Sequence, residues 1–473
     1  MKFFVYNTLN RQKEEFVPLM NDPDYTGPKK DFVGVYTCGP TVYRDAHIGN
    51  MRAYFFADML RNTLKNILWY PVKYVVNITD VGHLTSDADE GEDKLEKWSK
   101  REGISARDVA KKYEERFRKF LKMLNIEDFD VFPRATEHIP EQIKIIQTLE
   151  KKWYTYSIPN DGIYMDTSKV KEYGKLAKLD IEGLNQGARV ENDQKKNKTD
   201  FALRKFSPIG EQRQMERESP RGKGFPWWHI ECSAMSSKYL WEQFDIHTGG
   251  VDHIPVHHTN EIAQSECGCG CTPRVKYWMH VQFLNLGWKK IAKSAGGLVT
   301  VDDIVAKGFS PLDLRYFYML AHYRNFQDFT IELLEQAKHW RHSLIKKLQG
   351  RKIIKDKKEF ENDPVFQQAL EALCDDLNTP KLLAILQTAL TAGWENIYAI
   401  ITWLEENFLK LGLFEPIVEE KIDIPVEVIA LADQRIQAKK DKNFALADEL
   451  RNKITSAWFQ VKDTKDGYEI TKA

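Results

Sequence analysis

The sequence predicts an α/β fold in which a parallel sheet is split by an insertion and followed by a helical C-terminal region with a small terminal hairpin. Three observations carry that prediction. Two apolar runs flank an amphipathic helical stretch between residues 31 and 80, residues 133–225 turn charged and broken by Gly and Pro, and helical periods dominate from residue 302 onward. Strand, helix and strand in so short a span indicate a parallel βαβ crossover.

The elements follow in order. "DFVGVYTCGP" reads as a short apolar strand ending in a turn. "NMRAYFFADMLRNTLKNI" has helical period, with Met51, Tyr54, Phe55, Met59 and Leu60 on one side. "PVKYVVNITD" is a second buried strand, ending at Asp80. Ligands of such sheets bind at the carboxyl ends of strands, where "CGPTVYRDAHIGN" and "NITD" lie. The insertion contains "VENDQKKNKTDFALRKFSPIGEQRQMERESPRGKGFP". "WWHIECSAMSSKYL" and "FDIHTGGVDHIPVHHTNEIAQSE" restore the apolar and turn texture. Residues 414–425 read as a linker, "EVIALADQRIQAKKDKNFALADELRNKI" as a helical pair and "WFQVKDTKDGYEI" as a hairpin.

Composition narrows the function. A chain of 473 residues is too long for one core, so several domains are expected. Its 69 basic and 69 acidic residues cancel, so nucleic-acid contact must come from local patches. Six cysteines make no disulfide framework here. Reduced thiols are expected, as ligands, nucleophiles or core fillers. No N-terminal apolar stretch resembles a signal peptide, and no run approaches the roughly 20 apolar residues of a membrane helix. A cytoplasmic protein with no membrane partner is expected.

Cys38 and Cys232 each stand at a strand-to-turn or strand-to-helix junction. In "HHTNE", His257 and Glu261 are spaced i, i+4, which puts imidazole and carboxylate on one helical face. Two thiolates, one imidazole and one carboxylate make a four-ligand zinc set. His258, at i+3, fits as well, and either cysteine alone also fits a small buried core residue. In "CGCGC", Cys267, Cys269 and Cys271 offer three alternating thiols, but no fourth ligand is evident nearby. A Cys-rich surface loop is the favoured reading over a second metal site.

No G-x-x-x-x-G-K-[ST] loop is present. Instead "HIGN" opens the helix after the first strand. Gly49 lets a nucleotide approach the backbone, the helix N-terminus favours anions, and His47 can hydrogen-bond charge developing on phosphate. Downstream, "GWKKIAKSAGG" offers Lys289, Lys290, Lys293 and Ser294 in a Gly-flanked loop suited to neutralising and then releasing a triphosphate. Either motif alone is weak. Their order along the two halves of the sheet matters more.

Together these motifs resemble the cysteinyl-tRNA synthetase family of class I aminoacyl-tRNA synthetases. "CGPTVYRDAHIGN", "WWHIECSAM", "DIHTGGVDHIPVHHTNEIAQSE", "VKYWMH", "KIAKS", "LRYFYMLAHYRNFQDFT", "CDDLNTP" and "KNFALADELRNKI" follow in family order over nearly the whole chain. The resemblance implies a Rossmann-like catalytic domain with halves at 1–132 and 226–287 around a connective insertion at 133–225. It further implies a lysine-loop and stem-contact region at 288–338, a helical bundle at 339–414 and an anticodon-binding module at 426–473.

The implied reaction is ATP-dependent ligation of L-cysteine to cysteine tRNA through a cysteinyl-adenylate, by a monomer. The resemblance implies one Zn2+ held by Cys38, Cys232, His257 and Glu261, choosing His257 over His258 and binding the substrate thiol. Thr79, Trp228, His247 and Asp252 would line the cysteine pocket. Gly39, His47, Gly49, Asn50, Lys290, Lys293 and Ser294 would bind ATP with Mg2+, and His47, Asn50, Lys290 and Lys293 would be catalytic. In the last module, Arg435, Lys439, Lys440, Lys442, Arg451 and Lys453, with Trp458, Phe459 and Tyr468, would meet the anticodon end. From residue types alone that tail reads as a solvated amphipathic face, because Asp433, Asp441, Asp448 and Glu449 dilute its charge. The chain departs from the family pattern at Asn50, where many relatives have His, at Ile291 and Ala292, at Thr248 and Thr259, and in "CGCGC". A paralogous ligase joining cysteine to an amino sugar lacks a full anticodon module, so the long stretch after Thr330 argues for the synthetase. A zinc-containing RNA-binding protein without catalysis would not need His47, Lys290, Lys293 and Ser294.

Overall fold

The computed structural model describes residues 1–81, 94–179, 194–207, 216, 222–226, 228–286, 299–417, 425–457, 459–464 and 467–472. They fall into two compact units, 1–415 and 416–473.

The first unit opens with an antiparallel pair, β1 (Phe4–Asn7) and β2 (Gln12–Glu15). β3 (Val33–Thr37), α1 (Ile48–Asn62), β4 (Val72–Val76), α2 (Lys94–Glu102), α3 (Ala106–Met123) and α4 (Ile139–Lys151) follow. β5 (Thr155–Ile158), β6 (Gly162–Met165), β7 (Phe201–Phe206) and β8 (Gly224–Pro226) make an antiparallel sheet in chain order. The chain then runs through α5 (Trp228–Leu240), β9 (Phe244–Gly250), α6 (Thr259–Cys269), β10 (Val275–Val281) and β11 (Leu284–Leu286). After α7 (Val301–Ala306) and α8 (Pro311–Met319), β12 (Gln327–Phe329) pairs in parallel with β11. α9 (Ile331–Leu348), α10 (Pro364–Cys374), α11 (Thr379–Ala392) and α12 (Ile397–Leu404) complete the unit.

The central sheet has the order β10-β9-β3-β4, all parallel, with Tyr36 of β3 opposite Val75 and His247. Every residue of β3 is buried, as a central strand covered on both faces requires. α1 buries Met51, Tyr54, Phe55, Met59 and Leu60, the face its period predicts. It also buries Asp58, held by Arg61 at 2.6 Å and Arg315 at 2.7 Å, so this carboxylate is paired on both sides.

Two expectations need correcting here. The second strand stops at Val76 rather than Asp80, because Ile78 and Thr79 leave the ladder for single bridges to Arg134 and Thr41. The cysteines are not all free thiols either. Cys269 and Cys271 form a disulfide, because Gly270 caps α6 with φ +76° and folds the chain back on itself.

The second unit pairs α13 (Val426–Lys440) and α14 (Phe444–Ser456) with an antiparallel hairpin, β13 (Phe459–Thr464) and β14 (Gly467–Lys472). Val428, Ala432, Ile454, Phe459, Val461 and Ile470 form its core. Several residues expected to face RNA are therefore used internally. Phe459 is buried, Arg435 and Lys439 bind Asp463 at 2.7 Å and 2.5 Å, and the Tyr468 hydroxyl donates to Asp433 at 2.6 Å. Lys440, Lys442, Arg451 and Lys453 remain exposed, and Trp458 lies outside the described residues. Among the described residues, no helix is long and apolar enough to cross a membrane.

Candidate metal and nucleotide site

The site collects at the carboxyl ends of β3, β4 and β9. Cys38 leaves β3 with its N–H donated to Thr248 O at 3.1 Å. Gly39 follows because nothing larger fits: a Cβ there would stand 1.5 Å from Asn77 O. Asn77 turns back so that its Oδ1 accepts the Gly39 N–H at 2.8 Å. Thr248, a departure from the family's glycine run, hydrogen-bonds Thr37 at 2.6 Å and ties β9 to β3. Thr259, another departure, donates to Ile254 O at 2.7 Å and closes the π-helical turn Ile254–His258 that leads into α6.

Ligand atoms of Cys38, His257, His258 and Glu261 lie within 4.8 Å of one another, all buried. Cys38 Sγ is 3.2 Å from His258 Nε2 and 3.9 Å from Glu261 Oε1. His257 Nε2 is 2.9 Å from Glu261 Oε1, yet that ring nitrogen has no partner in hydrogen-bond geometry. Two buried atoms so placed are disposed to share a cation. Burial opposes ionisation of Glu261, but His247 and His257 beside it hold its carboxyl well below the usual range. Burial likewise opposes a charged His257, but the charges of Glu261 and Cys232 push it up to about 10. Cys232, on α5, is lowered by the hydrogen bond from Cys38, while burial raises Cys38. The two thiols are thus hydrogen-bonded neighbours. The donor set of soft sulfur, imidazole and carboxylate fits zinc.

A second layer orients these atoms. His258 Nδ1 bonds His280 Nε2 at 2.8 Å, and His280 Nδ1 bonds Thr8 Oγ1 at 2.8 Å. His229 Nδ1 lies 2.9 Å from His257 Nδ1, leaving His257 Nε2 for the centre. His247 bonds Glu261 Oε2 at 3.1 Å and stacks on Trp278 at 4.6 Å. Trp228 stacks on His257 at 4.3 Å. Thr79 Oγ1 accepts from Asn77 and donates to Glu231 at 3.5 Å. Asp252 is exposed, and its charge acts on both Cys38 and His47.

Sequence reasoning missed His280, Thr8 and His229. For His280 and His229 the only signal was their place in "VKYWMH" and "WWHIECSAM", and Thr8 lies in none of the motifs. His258 was left as an alternative ligand, and the structure puts it on Cys38.

At the start of α1, His47 and Asn50 form a capping box. The Asn50 N–H donates to His47 Nδ1 at 3.2 Å, and the His47 N–H donates to Asn50 Oδ1 at 3.2 Å. Asn50 is thus a helix cap here. Burial and Arg44 lower the pKa of His47 to about 4, so it is neutral, with Nε2 carrying the proton. Lys290, Lys293 and Ser294 lie outside the described residues. Both flanks of their segment sit beside "HIGN". Val299 O accepts the Ile48 N–H at 2.8 Å, and Leu284 Cβ lies 3.9 Å from where a Gly49 Cβ would be.

The chain is similar to several known proteins. Residues 26–339 match the model of the tRNA synthetases class I (C) catalytic domain. The chain is 44% identical over 481 residues to a cysteine–tRNA ligase of Burkholderia lata, covering 99% of this chain and 97% of that protein. It is 39% identical to the cysteine–tRNA ligase of Treponema denticola, with 98% of each covered. A Mycobacterium tuberculosis methionyl-tRNA synthetase bound by methionyl-adenylate shares the fold, with TM-score 0.55 at 12% identity, over 80% of this chain and 92% of that one.

Proposed function

The chain belongs to the cysteine–tRNA ligase family of class I tRNA synthetases, and we propose that it joins L-cysteine to cysteine tRNA in two steps on the site just described. In the first, the cysteine carboxylate attacks the α-phosphate of ATP, giving cysteinyl-adenylate and pyrophosphate. In the second, a terminal hydroxyl of the tRNA takes the aminoacyl group and AMP leaves. The observation that carries this reading is the buried convergence of Cys38, His257, His258 and Glu261, with Cys232 hydrogen-bonded to Cys38 and Trp228 stacked on His257.

Zinc held by Cys38, Cys232, His257 and Glu261 would supply a soft centre that prefers a thiolate to a serine hydroxyl. The rest falls to the chain itself. Trp228, Thr79 and His247 confine the amino acid, and His229 and His247 keep His257 and Glu261 in orientation. The N-terminus of α1 presents the positive end of its dipole to phosphate. Neutral His47 offers Nε2–H as a donor where charge develops on the transferring group. Asn50 acts through His47 by fixing the ring's Nδ1 as acceptor. Lys290, Lys293 and Ser294 would neutralise the triphosphate together with Mg2+, and the flanks of their segment at Leu284 and Val299 support that meeting with "HIGN". Residues 426–473 would meet the anticodon end through Lys440, Lys442, Arg451 and Lys453.

Cysteine-dependent ATP–pyrophosphate exchange tests the first step. We expect exchange with cysteine and none with serine. Removing residues 426–473 should leave exchange nearly intact and cut tRNA charging steeply. Full charging by the shortened chain would remove the anticodon assignment, and absence of cysteine-dependent exchange would remove the catalytic one.

A further inference from the structure

The run Cys267–Cys271 takes no part in the corner that binds metal and nucleotide. Cys269 closes α6, and left-handed Gly270 brings Cys271 against it in a disulfide. Neither cysteine is sealed: both are half-buried, and Gly270, Thr272 and Pro273 around them are exposed. Cys269 Sγ accepts the backbone N–H of Cys271 at 3.1 Å. A cation stands over the turn. Lys152 Nζ donates to Cys267 O at 3.1 Å and Gly268 O at 2.8 Å, and lies 3.7 Å from the Cβ position of Gly270. It offsets the negative end of α6, which would otherwise disfavour a thiolate there. Cys267 differs. It interacts with Tyr154, and burial pushes its thiol up to about 11, so it stays protonated and outside the pair.

We propose that Cys269 and Cys271 form a reversible dithiol–disulfide site that exchanges with low-molecular-weight thiols, L-cysteine among them. Only the choice of thiol rests on the functional reading above. A cysteine thiolate attacks Cys271 Sγ and forms a new S–S bond as the Cys269–Cys271 bond breaks. The electron pair leaves on Cys269 Sγ, where the Cys271 N–H and Lys152 favour the anion, and solvent protonates it. A second cysteine thiolate attacks the substrate-derived sulfur of the mixed disulfide. Cystine departs, and Cys271 takes up the electron pair and then a proton. The protein pair gains two electrons and two cysteines lose them, and the reverse sequence closes the bond.

The site is placed to be felt elsewhere. One turn earlier on α6, Glu266 pairs with Lys175 at 2.6 Å and accepts the Arg274 N–H at 3.4 Å. The Arg274 guanidinium in turn donates to Ser233 O and Ser236 Oγ of α5. The turn closed by the pair therefore connects the helices that carry Glu261 and Cys232.

The test uses the full chain, equilibrated in L-cysteine and L-cystine mixtures of rising ratio. It is then quenched in acid, alkylated in denaturant and mapped by peptide mass. Cys269 and Cys271 should gain alkyl groups together as cysteine rises, with Cys267 alkylated in every mixture. Cys267→Ser should titrate at the same ratio. Lys152→Ala, with an unchanged circular dichroism spectrum, should slow exchange by about three- to tenfold. Three results would overturn the site: both cysteines alkylated even in pure cystine, both still paired in excess cysteine, or pairing lost in Cys267→Ser. An unchanged rate in Lys152→Ala would overturn the part given to the cation. Aminoacylation is not read, so failure here is separate from failure of the synthetase reading.

Discussion

The buried corner around Cys38 and the C-terminal unit use polar side chains in opposite ways. At the corner, Cys38, His257, His258 and Glu261 are all buried, and their charges act on one another across a few ångströms. Low local dielectric makes each group strongly dependent on its neighbours. Among the described residues of 416–473, the charged side chains are mostly exposed, and Arg435 and Lys439 pair with Asp463. Pairs whose carboxylate stays open to solvent, as that of Asp463 does, contribute little singly. A change at the corner should therefore act all at once, and changes in the small unit should act by degrees.

The largest effect is expected from Cys232→Ala. With three ligands left, the metal site no longer closes, so bound zinc and cysteine-dependent exchange should each fall by more than about a hundredfold. Metal analysis after mild chelation and an exchange assay would read both. Full zinc and full cysteine affinity in this variant would break the comparison at its strongest point. Next in size is Lys293→Ala, for which the pre-steady-state rate of adenylate formation should drop on the order of 10²–10³ with cysteine binding nearly unchanged.

The parts of this contrast legible in the sequence were those fixed by short spacing. His257 and Glu261 share a face because they stand four residues apart, and the π-helical turn before α6 does not disturb that. Cys38 and "HIGN" were legible because strand ends in a parallel sheet gather ligands. His280 and Thr8 were not, because their contact joins residues 272 apart and depends on how the end of β1 lies beside β10. The pairing of Arg435 was not legible for a related reason: α13 packs it against the hairpin, where Asp463 lies 28 residues away. Asn50 read as a catalytic residue standing where many relatives have His, and only the structure shows it completing a capping box.

A middle effect tests whether the second layer matters. His280→Ala removes the partner of His258 Nδ1 and so loosens the ring that touches Cys38. Outer partners of ligand sets typically cost 10–100-fold, so zinc affinity by chelator competition should fall about tenfold. His280→Gln, which can keep one hydrogen bond, should recover part of it. Equal affinity in all three proteins would confine the sensitivity of the corner to the ligands themselves.

The smallest effects separate structure from recognition within the C-terminal unit. Arg435 is buried at 4% exposure and packs its stem in the core, with its guanidinium on Asp463. Arg435→Ala should destabilise this unit by about 1–2 kcal/mol through lost packing and hydrogen bonds. The same pair gives the pH dependence a sign. Hydrogen bonds from Arg435 and Lys439 hold the Asp463 carboxyl well below the usual carboxylate range. Its contribution is therefore full above the ordinary carboxylate pKa and is lost as pH falls through the depressed value, and Arg435→Ala should flatten that acid-side loss. Lys440, exposed at the end of α13, has no such duty. Lys440→Ala should leave the melting curve within about 0.5 kcal/mol and weaken tRNA binding about two- to fivefold, with a shallower salt dependence. Paired thermal melts and binding isotherms at two salt concentrations decide the matter. If Arg435→Ala weakens tRNA binding with no change in melting, the side chain reads RNA after all, and the division between the inward-turned and outward-facing cations of this unit fails.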